Sequence, residues 1–288
     1  MKLSYLKENW AELSWTRWYS FSTVMENKKL FPTSPGMYRI KAVGHNHLMY
    51  IGQTGRNLRE RLTDLIRNTH KEQMPFNGPH TAAPSLWAWK DDKGWQFEIS
   101  AASVHLTKEI REGLECYLLW NYREESGEST LCNHGRFHPD YEKSKARKSG
   151  FRGGKLPVEK PRNSAWGESS APLCFQGTPI TLDFMELNWS SLNGWDNLQR
   201  VPQKEGVYRI IGHESNTLLY IGQSTKVKSR LQSHSRKNWG QEVKFSFCIF
   251  ENAKDYQLKE IENDLIGGFY SINKSVPEFQ FRNLKEVN

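Results

Sequence analysis

Two separate parts of the chain share one pattern of apolar and polar positions. Residues 37–43 and 48–52 are rich in β-branched and aromatic side chains and flank a short polar turn, and residues 207–211 and 218–222 repeat this arrangement. Such runs around a polar turn are typical of antiparallel strands. The pattern therefore predicts two β-hairpins.

A helix is predicted after each hairpin. In the first copy, apolar side chains recur at helical spacing at Leu58, Leu62 and Leu65. In the second copy, Val227 and Leu231 mark a shorter helix. Because residues three and four apart share one helix face, both helices are expected to pack one apolar side against a sheet.

A third strand and a closing helix complete each copy. Residues 95–104 and 243–250 predict the strands, and residues 108–122 and 255–266 predict the helices, the last stopped by a Gly-Gly pair. Each copy thus has the order ββαβα. The predicted fold class is α/β of the α+β type, with two domains that each contain a small, mainly antiparallel three-stranded sheet flanked by helices.

The chain is predicted to divide into a first domain (1–142), a linker (143–179) and a second domain (180–288). The first domain carries additional residues at about 70–92, which are too rich in Pro and Gly for a helix and predict a loop. The linker contains Lys, Arg, Gly, Ser and Pro with few apolar residues. Such a composition is typical of a flexible linker or of a segment that a partner orders.

Composition limits the classes of protein. Hydrophobic residues make up 37% of the chain, enough for two cores, and no apolar run approaches the length of a membrane span. The N-terminus lacks the apolar core of a signal peptide, which favours a cytoplasmic location. The four cysteines form no CxxC pair, so the sequence supports neither a disulfide framework nor a zinc site.

Positive charge is concentrated between the two copies. The net charge is +8, and basic residues outnumber acidic ones most clearly between Arg136 and Arg162. Such a stretch is either a solvated linker or a segment that contacts phosphates, and interspersed glycines would let it follow a nucleic-acid backbone. The predicted DNA-binding residues are Lys145, Arg147, Lys148, Arg152 and Lys155.

A set of chemically useful side chains occurs in both copies. Each closing helix carries a glutamate beside its apolar stripe, and each first helix carries an arginine in a similar position. One carboxylate with water suits Mg²⁺, and an arginine can neutralise a phosphate. A strand tyrosine could transfer a proton if nearby cations lowered its pKa. The set therefore predicts hydrolysis of a phosphodiester.

The two blocks resemble the GIY-YIG nuclease superfamily. Gly36-Met37-Tyr38 with Tyr50-Ile51-Gly52, and Gly206-Val207-Tyr208 with Tyr220-Ile221-Gly222, carry the resemblance, which spans roughly 36–137 and 206–284. In the first copy it assigns as catalytic residues Tyr38, Tyr50, Arg61, Glu115 and Asn133. In the second copy it assigns Tyr208, Tyr220, Arg230, Glu262 and Asn283. It also implies one divalent metal ion per site, Mg²⁺ or Mn²⁺, bound by Glu115 or by Glu262.

The copies differ four residues after the helical arginine. Restriction-type members of the superfamily place a histidine there, and the second copy has His234, which the resemblance adds to the catalytic set. The first copy has Leu65. His80 in the insertion is either a substitute for the missing imidazole or an ordinary surface histidine. We therefore expect the two sites to differ in activity.

The predicted function is that of a metal-dependent DNA endonuclease of restriction type, which cuts both strands of double-stranded DNA with two sites in one chain and needs no oligomer. The predicted protein is prokaryotic and associated with the nucleoid, and the lack of a long apolar run predicts no membrane partner. The sequence leaves open a cognate methyltransferase or an immunity partner. Two alternatives also stay open: a structure-selective nicking nuclease of repair or recombination with one active copy, and a non-catalytic DNA-binding protein.

Overall fold

A computed structural model describes residues 3–78 and 82–284. The chain forms two units: the first contains Met1–Arg111 and Glu128–Glu168, and the second contains Glu112–Gly127 and Ser169–Asn288. In the described part of the chain, no helix has the length and apolar character that crossing a membrane requires. Antiparallel sheets with helices confirm the mixed α/β class.

The domain boundaries differ from the predicted ones. The helix that closes the first copy begins in the first unit but continues into the second as residues 112–127. The predicted linker 143–179 is divided between the units after Glu168. These differences arise because local patterns mark helices and polar stretches but do not show which core a segment joins.

The first unit is built around a four-stranded antiparallel sheet in the order β1-β4-β2-β3. It adds a short strand, β1, to the three predicted strands. Its elements are β1 (Tyr19–Ser20), α1 (Phe21–Glu26), β2 (Gly36–Ala42), β3 (Leu48–Thr54), α2 (Leu58–Thr69), α3 (Ala82–Lys93), β4 (Phe97–Ser103), the start of α4 (Lys108–Ser126), β5 (Tyr141–Glu142) and β6 (Gly154–Lys155).

The insertion is not a loop throughout, since it contains helix α3. Pro84 lies in the first turn of that helix, where the missing backbone N–H removes no helical hydrogen bond. Residues 82–89 are all buried, so packing against α2 and the core stabilises a segment whose Pro and Gly content predicted irregular structure.

The second unit contains a three-stranded antiparallel sheet in the order β8-β7-β9. Its elements are β7 (Gly206–Gly212), β8 (Leu218–Ser224), α5 (Val227–His234), β9 (Val243–Ile249) and α6 (Asp255–Asn273). The hairpin β7-β8 has the same register as β2-β3: Tyr208 pairs with Gly222, and Tyr38 pairs with Gly52. Matched register places corresponding side chains on corresponding faces.

Helix α6 continues through the Gly-Gly pair that was predicted to end it. The helix passes so close to residues 112–127 of α4 that a Cβ on Gly267 would collide with the Cys116 carbonyl oxygen and with Trp120. Asn263 Nδ2 donates to the Cys116 oxygen at 3.1 Å. Close packing therefore compensates for the low helix propensity of glycine.

A buried ion cluster also joins these two helices within the second unit. The side chain of Arg123 is fully buried, with Nε 2.9 Å from Asp264 Oδ1 and Nη1 3.5 Å from Glu260 Oε2. The Ser170 backbone N–H donates to Glu260 at 2.8 Å. A buried charge needs such partners, and they fix the closing helix of the first copy within the second unit.

Candidate active site

Two tyrosines on neighbouring strands form the base of a candidate site in the second unit. The rings of Tyr208 on β7 and Tyr220 on β8 are stacked, with centroids 6.1 Å apart. Tyr208 is fully buried, whereas Tyr220 is partly exposed. A Cβ on Gly222, the register partner of Tyr208, would collide with both rings. Gly222, the second glycine of the repeated block, is therefore a steric requirement of the tyrosine pair.

Helix α5 brings an arginine and a histidine to the buried tyrosine. Arg230 Nε donates to the Tyr208 hydroxyl oxygen at 3.2 Å, and His234 Nε2 lies 2.9 Å from the same oxygen. Because a guanidinium can only donate, the phenol oxygen is the acceptor toward Arg230. The phenol proton then points at His234 Nε2. The spacing of four residues places both side chains on one helix face.

His234 lies in an aromatic environment. Its ring centroid is 5.1 Å from that of Tyr220 and 5.6 Å from that of Trp239, whose Nε1 donates to the His234 carbonyl oxygen at 3.0 Å. Burial lowers the pKa of His234 to about 3, and the charges of Lys237 and Arg230 act in the same direction. The imidazole is therefore neutral at pH 7 and able to accept the Tyr208 proton in a hydrogen bond.

The tyrosines do not have the lowered pKa values that the sequence predicted. Burial raises the pKa of Tyr208 well above its usual value, and burial together with the charge of Glu262 raises that of Tyr220. Arg230 opposes both shifts but does not outweigh burial. Both phenols are therefore protonated at neutral pH. The sequence shows that a cation lies near the tyrosines, but it does not show that burial outweighs the effect of that cation on their pKa values.

Glu262 on α6 is the carboxylate of the site. Glu262 is partly exposed, and desolvation raises its pKa to about 7. A hydrogen bond from the Gln223 backbone and the charges of Lys259 and Arg230 act in the opposite direction and lower the pKa. Across residues 3–78 and 82–284, no group of three or more His, Cys, Asp or Glu side chains could hold a metal ion. A single accessible carboxylate fits a hard divalent cation whose other ligands are water and phosphate oxygens.

The predicted Asn283 does not take the place that Asn133 has in the first copy. Asn133 accepts the Ile51 N–H at 3.0 Å and donates to the Ile51 carbonyl oxygen at 2.8 Å. In the second copy Gln280 accepts the Ile221 N–H at 3.0 Å, while Asn283 is exposed. The amide that supports the tyrosine strand is therefore Gln280, which the sequence comparison missed because it sought an asparagine.

A signal for Gln280 was present in the sequence. The residue before each amide also bonds to the strand: the Cys132 N–H donates to the Met49 oxygen at 2.9 Å, and the Phe279 N–H donates to the Leu219 oxygen at 2.9 Å. In both copies an apolar or thiol side chain precedes the amide. A search for that pair, rather than for asparagine alone, would have found Gln280.

In the first copy the tyrosine pair has similar geometry. The ring centroids of Tyr38 and Tyr50 are 5.9 Å apart, and a Cβ on Gly52 would collide with both rings. Arg61 on α2 lines a surface cleft of about 330 Å³ in the first unit. Glu115, in contrast, lies in the part of α4 that belongs to the second unit. The predicted residues of the first copy are thus divided between two units.

The position four residues after the helical arginine differs between the copies, as the sequence indicated. Leu65 is fully buried and belongs to the main core of the first unit. His80 lies outside the described residues. All five predicted DNA-binding residues lie in the first unit, near and within the short hairpin β5-β6.

Comparison with known proteins agrees with this geometry in the second unit. Residues 204–273 match the family described as the GIY-YIG catalytic domain. No curated protein and no solved structure matches the chain. The matched segment includes Tyr208, Tyr220, Arg230, His234 and Glu262, and it ends before Gln280. The match supports a nuclease and confirms the resemblance for this part of the chain.

Proposed function

We propose that this protein is a metal-dependent DNA endonuclease whose hydrolytic centre is formed by Tyr208, Tyr220, Arg230, His234 and Glu262. The observation that carries the proposal is the Tyr208 hydroxyl, held between a guanidinium and a neutral imidazole. Packing alone does not require such a buried polar network, and it lies in the segment that matches a catalytic domain.

The exposure and charge of each side chain in the centre indicate its role. Arg230 is exposed and hydrogen-bonds to both tyrosines, so its remaining N–H groups can bind the scissile phosphate while Nε holds Tyr208. Tyr220 is the more exposed phenol and is the group we assign to position the attacking water by a hydrogen bond. Glu262 would hold a divalent cation, Mg²⁺ or Mn²⁺, which would supply positive charge to neutralise this carboxylate and stabilise charge on the phosphate.

His234 acts as a positioning residue. Burial lowers the pKa of His234 to about 3 and raises that of Tyr208 well above its usual value, so both shifts oppose proton transfer from the phenol to the imidazole. The imidazole therefore fixes the direction of the Tyr208 O–H bond and does not store the proton.

The endonuclease either cuts both strands or nicks one strand, depending on whether the first copy is also active. Restriction-type cutting of both strands, which would fit a cytoplasmic prokaryotic enzyme with a protective methyltransferase, is supported by the matched tyrosine pairs. It requires a second catalytic centre in the first copy, for which the sequence predicts Tyr38, Tyr50, Arg61 and Glu115. Nicking by the second unit alone is supported by Leu65, because the first copy lacks the corresponding imidazole.

Supercoiled plasmid distinguishes these forms. The wild type, Glu262→Gln and Glu115→Gln are incubated with Mg²⁺, with Mn²⁺ and with chelator. Metal-dependent cleavage that Glu262→Gln abolishes supports the proposed centre. Linear product that becomes nicked circles in Glu115→Gln supports two sites, whereas nicked circles from the wild type that persist in Glu115→Gln support one. Undiminished cleavage by Glu262→Gln would refute the assignment.

A further inference from the structure

Two segments of the first unit, the insertion and the basic stretch, pack together. We call residues 71–78, 82–93 and 136–166 the accessory lobe. The Ser144 hydroxyl donates to the Pro75 carbonyl oxygen at 2.6 Å, and the Asn77 N–H donates to the Lys145 oxygen at 3.3 Å. The lobe has its own small core, formed by Met74, Trp87, Ala88, Phe137 and Tyr141. The basic stretch up to Glu168 is thus a folded part of the first unit.

The basic loop of the lobe, residues 143–153 between β5 and β6, is held in one conformation. Strands β5 and β6 pair at its base, and Gly153 has φ 74°, with no room for a Cβ beside the Glu142 oxygen and the Ser144 nitrogen. Arg152 lies over the Phe76 ring at 4.1 Å and donates to the Met74 oxygen at 3.2 Å. Arg152 therefore fastens the loop to the insertion.

The outer part of this loop presents positive charge. Lys145, Arg147 and Lys148 are exposed, and none of them forms an ion pair with any residue that the structure describes. The sequence has no acidic residue from Lys143 to Val158. Phe151 is 36% exposed within the same loop. A fixed loop with three cations and no compensating carboxylate favours a polyanion.

We infer that the accessory lobe is a docking surface for the phosphate backbone of duplex DNA. Lys145, Arg147 and Lys148 are the phosphate contacts, whereas Arg152 and Lys155 support the loop, since Lys155 Nζ lies 3.4 Å from Asp92 Oδ1. Because the loop is already ordered, binding restricts few backbone dihedrals. The choice of DNA among polyanions rests on the proposed function.

Binding without cleavage tests the inference. The full-length chain is titrated into a labelled DNA duplex of about 24 base pairs with chelator present, at several salt concentrations. Replacement of Lys145, Arg147 and Lys148 by Ser removes three phosphate contacts, so the slope of log K against log salt should fall by about 2.7, with a loss of affinity of about 100-fold at about 0.1 M salt. Circular dichroism verifies that the variant is folded.

A second triple variant controls for net charge. Arg17, Lys28 and Lys29 are also exposed residues of the first unit, and their replacement by Ser changes the net charge equally. This control should keep the wild-type slope within about 0.5. The inference would be overturned if both variants weakened binding equally or if the first variant did not weaken it. It would also be overturned if the wild type did not bind the duplex, or if polyglutamate of equal charge displaced the DNA.

Cleavage of the same DNA with Mg²⁺ separates this inference from the proposed function. If the wild type binds through the lobe but cleaves nothing, the lobe assignment stands and the endonuclease proposal fails. If the wild type cleaves DNA and the lobe variant binds as tightly, the endonuclease proposal stands and the lobe assignment fails. If duplex RNA displaces DNA at a much lower concentration, the lobe is an RNA surface and the assignment to DNA is wrong.

Discussion

Replacement of His234 by leucine isolates the cost of burying an imidazole beside the tyrosine pair. The first copy has Leu65 at the corresponding helix position, so the substitution copies a side chain that this fold already accommodates. The groups facing His234 are Tyr208, Tyr220, Arg230 and Lys237. None of them is a carboxylate, so protonation gains no ion pair in the folded chain.

The magnitude follows from the shifted pKa. The pKa of His234 is lowered from 6.5 to about 3, so as pH falls below 6.5 the unfolded chain binds a proton that the folded chain does not. The contribution of neutral His234 to the free energy of unfolding is therefore fully present above pH 6.5 and is lost as the pH falls below it. Between about pH 7.5 and pH 5, His234 should reduce the free energy of unfolding by about 2 kcal/mol, and leucine removes this loss.

At neutral pH two opposing terms nearly cancel. The variant loses the hydrogen bond from Tyr208, about 1 kcal/mol, but also removes His234 Nδ1, which is buried without a hydrogen-bond partner among the described residues. We expect the two proteins to agree within about 1 kcal/mol at about pH 7.5 and the variant to gain about 2 kcal/mol relative to the wild type at about pH 5.

Urea unfolding of the full-length chain at several pH values measures this difference. The relevant transition is the one whose midpoint the substitution shifts. The contributions of the other histidines to the pH dependence are the same in both proteins and cancel in the difference. His213→Gln is the matched control, because His213 is an exposed histidine of the same unit. A difference between His234→Leu and the wild type that stays constant from about pH 7.5 to pH 5 would refute the reasoning.

Three further predictions follow from contacts in the second unit. Arg123→Leu leaves Asp264 buried without its partner and should reduce the free energy of unfolding by about 3–5 kcal/mol, measured by urea; a loss below about 1 kcal/mol would contradict the buried ion cluster. Gly222→Ala pushes a Cβ into the tyrosine pair and should cost about 1–3 kcal/mol and abolish plasmid cleavage, whereas wild-type cleavage would exclude the steric role. Gln280→Ala leaves a buried N–H unsatisfied and should cost about 1–3 kcal/mol, against less than about 0.5 for the exposed Asn283→Ala; equal costs would restore Asn283 as the supporting amide.

Parts of the site followed from short-range patterns. The alternation around Tyr208 and Tyr220 marks two strands, and a hairpin register follows from the turn between them. The spacing of four residues between Arg230 and His234 places both side chains on one helix face. Each of these features depends on residues close together in the chain, so the sequence contained the information.

Other parts of the site depended on distant residues. Gln280 supports β8 by a bond to Ile221 across 59 positions of sequence. The pKa of Tyr220 reflects burial and Glu262 more than the nearby arginine. A prediction from residue types alone identified a cation beside a phenol but could not weigh it against the loss of water.

By itself, the sequence determined the repeated hairpins, the pairs of tyrosines and the arginine–histidine spacing of the second copy, because periodicity encodes which side of each element is apolar. Only the tertiary structure decided that residues 112–127 join the second unit, that Gly267 lies within a helix, and that the insertion and the basic stretch form one lobe. The physical reason is that an apolar face specifies burial but not its partner, which is chosen by the shapes and charges of segments far apart in the chain.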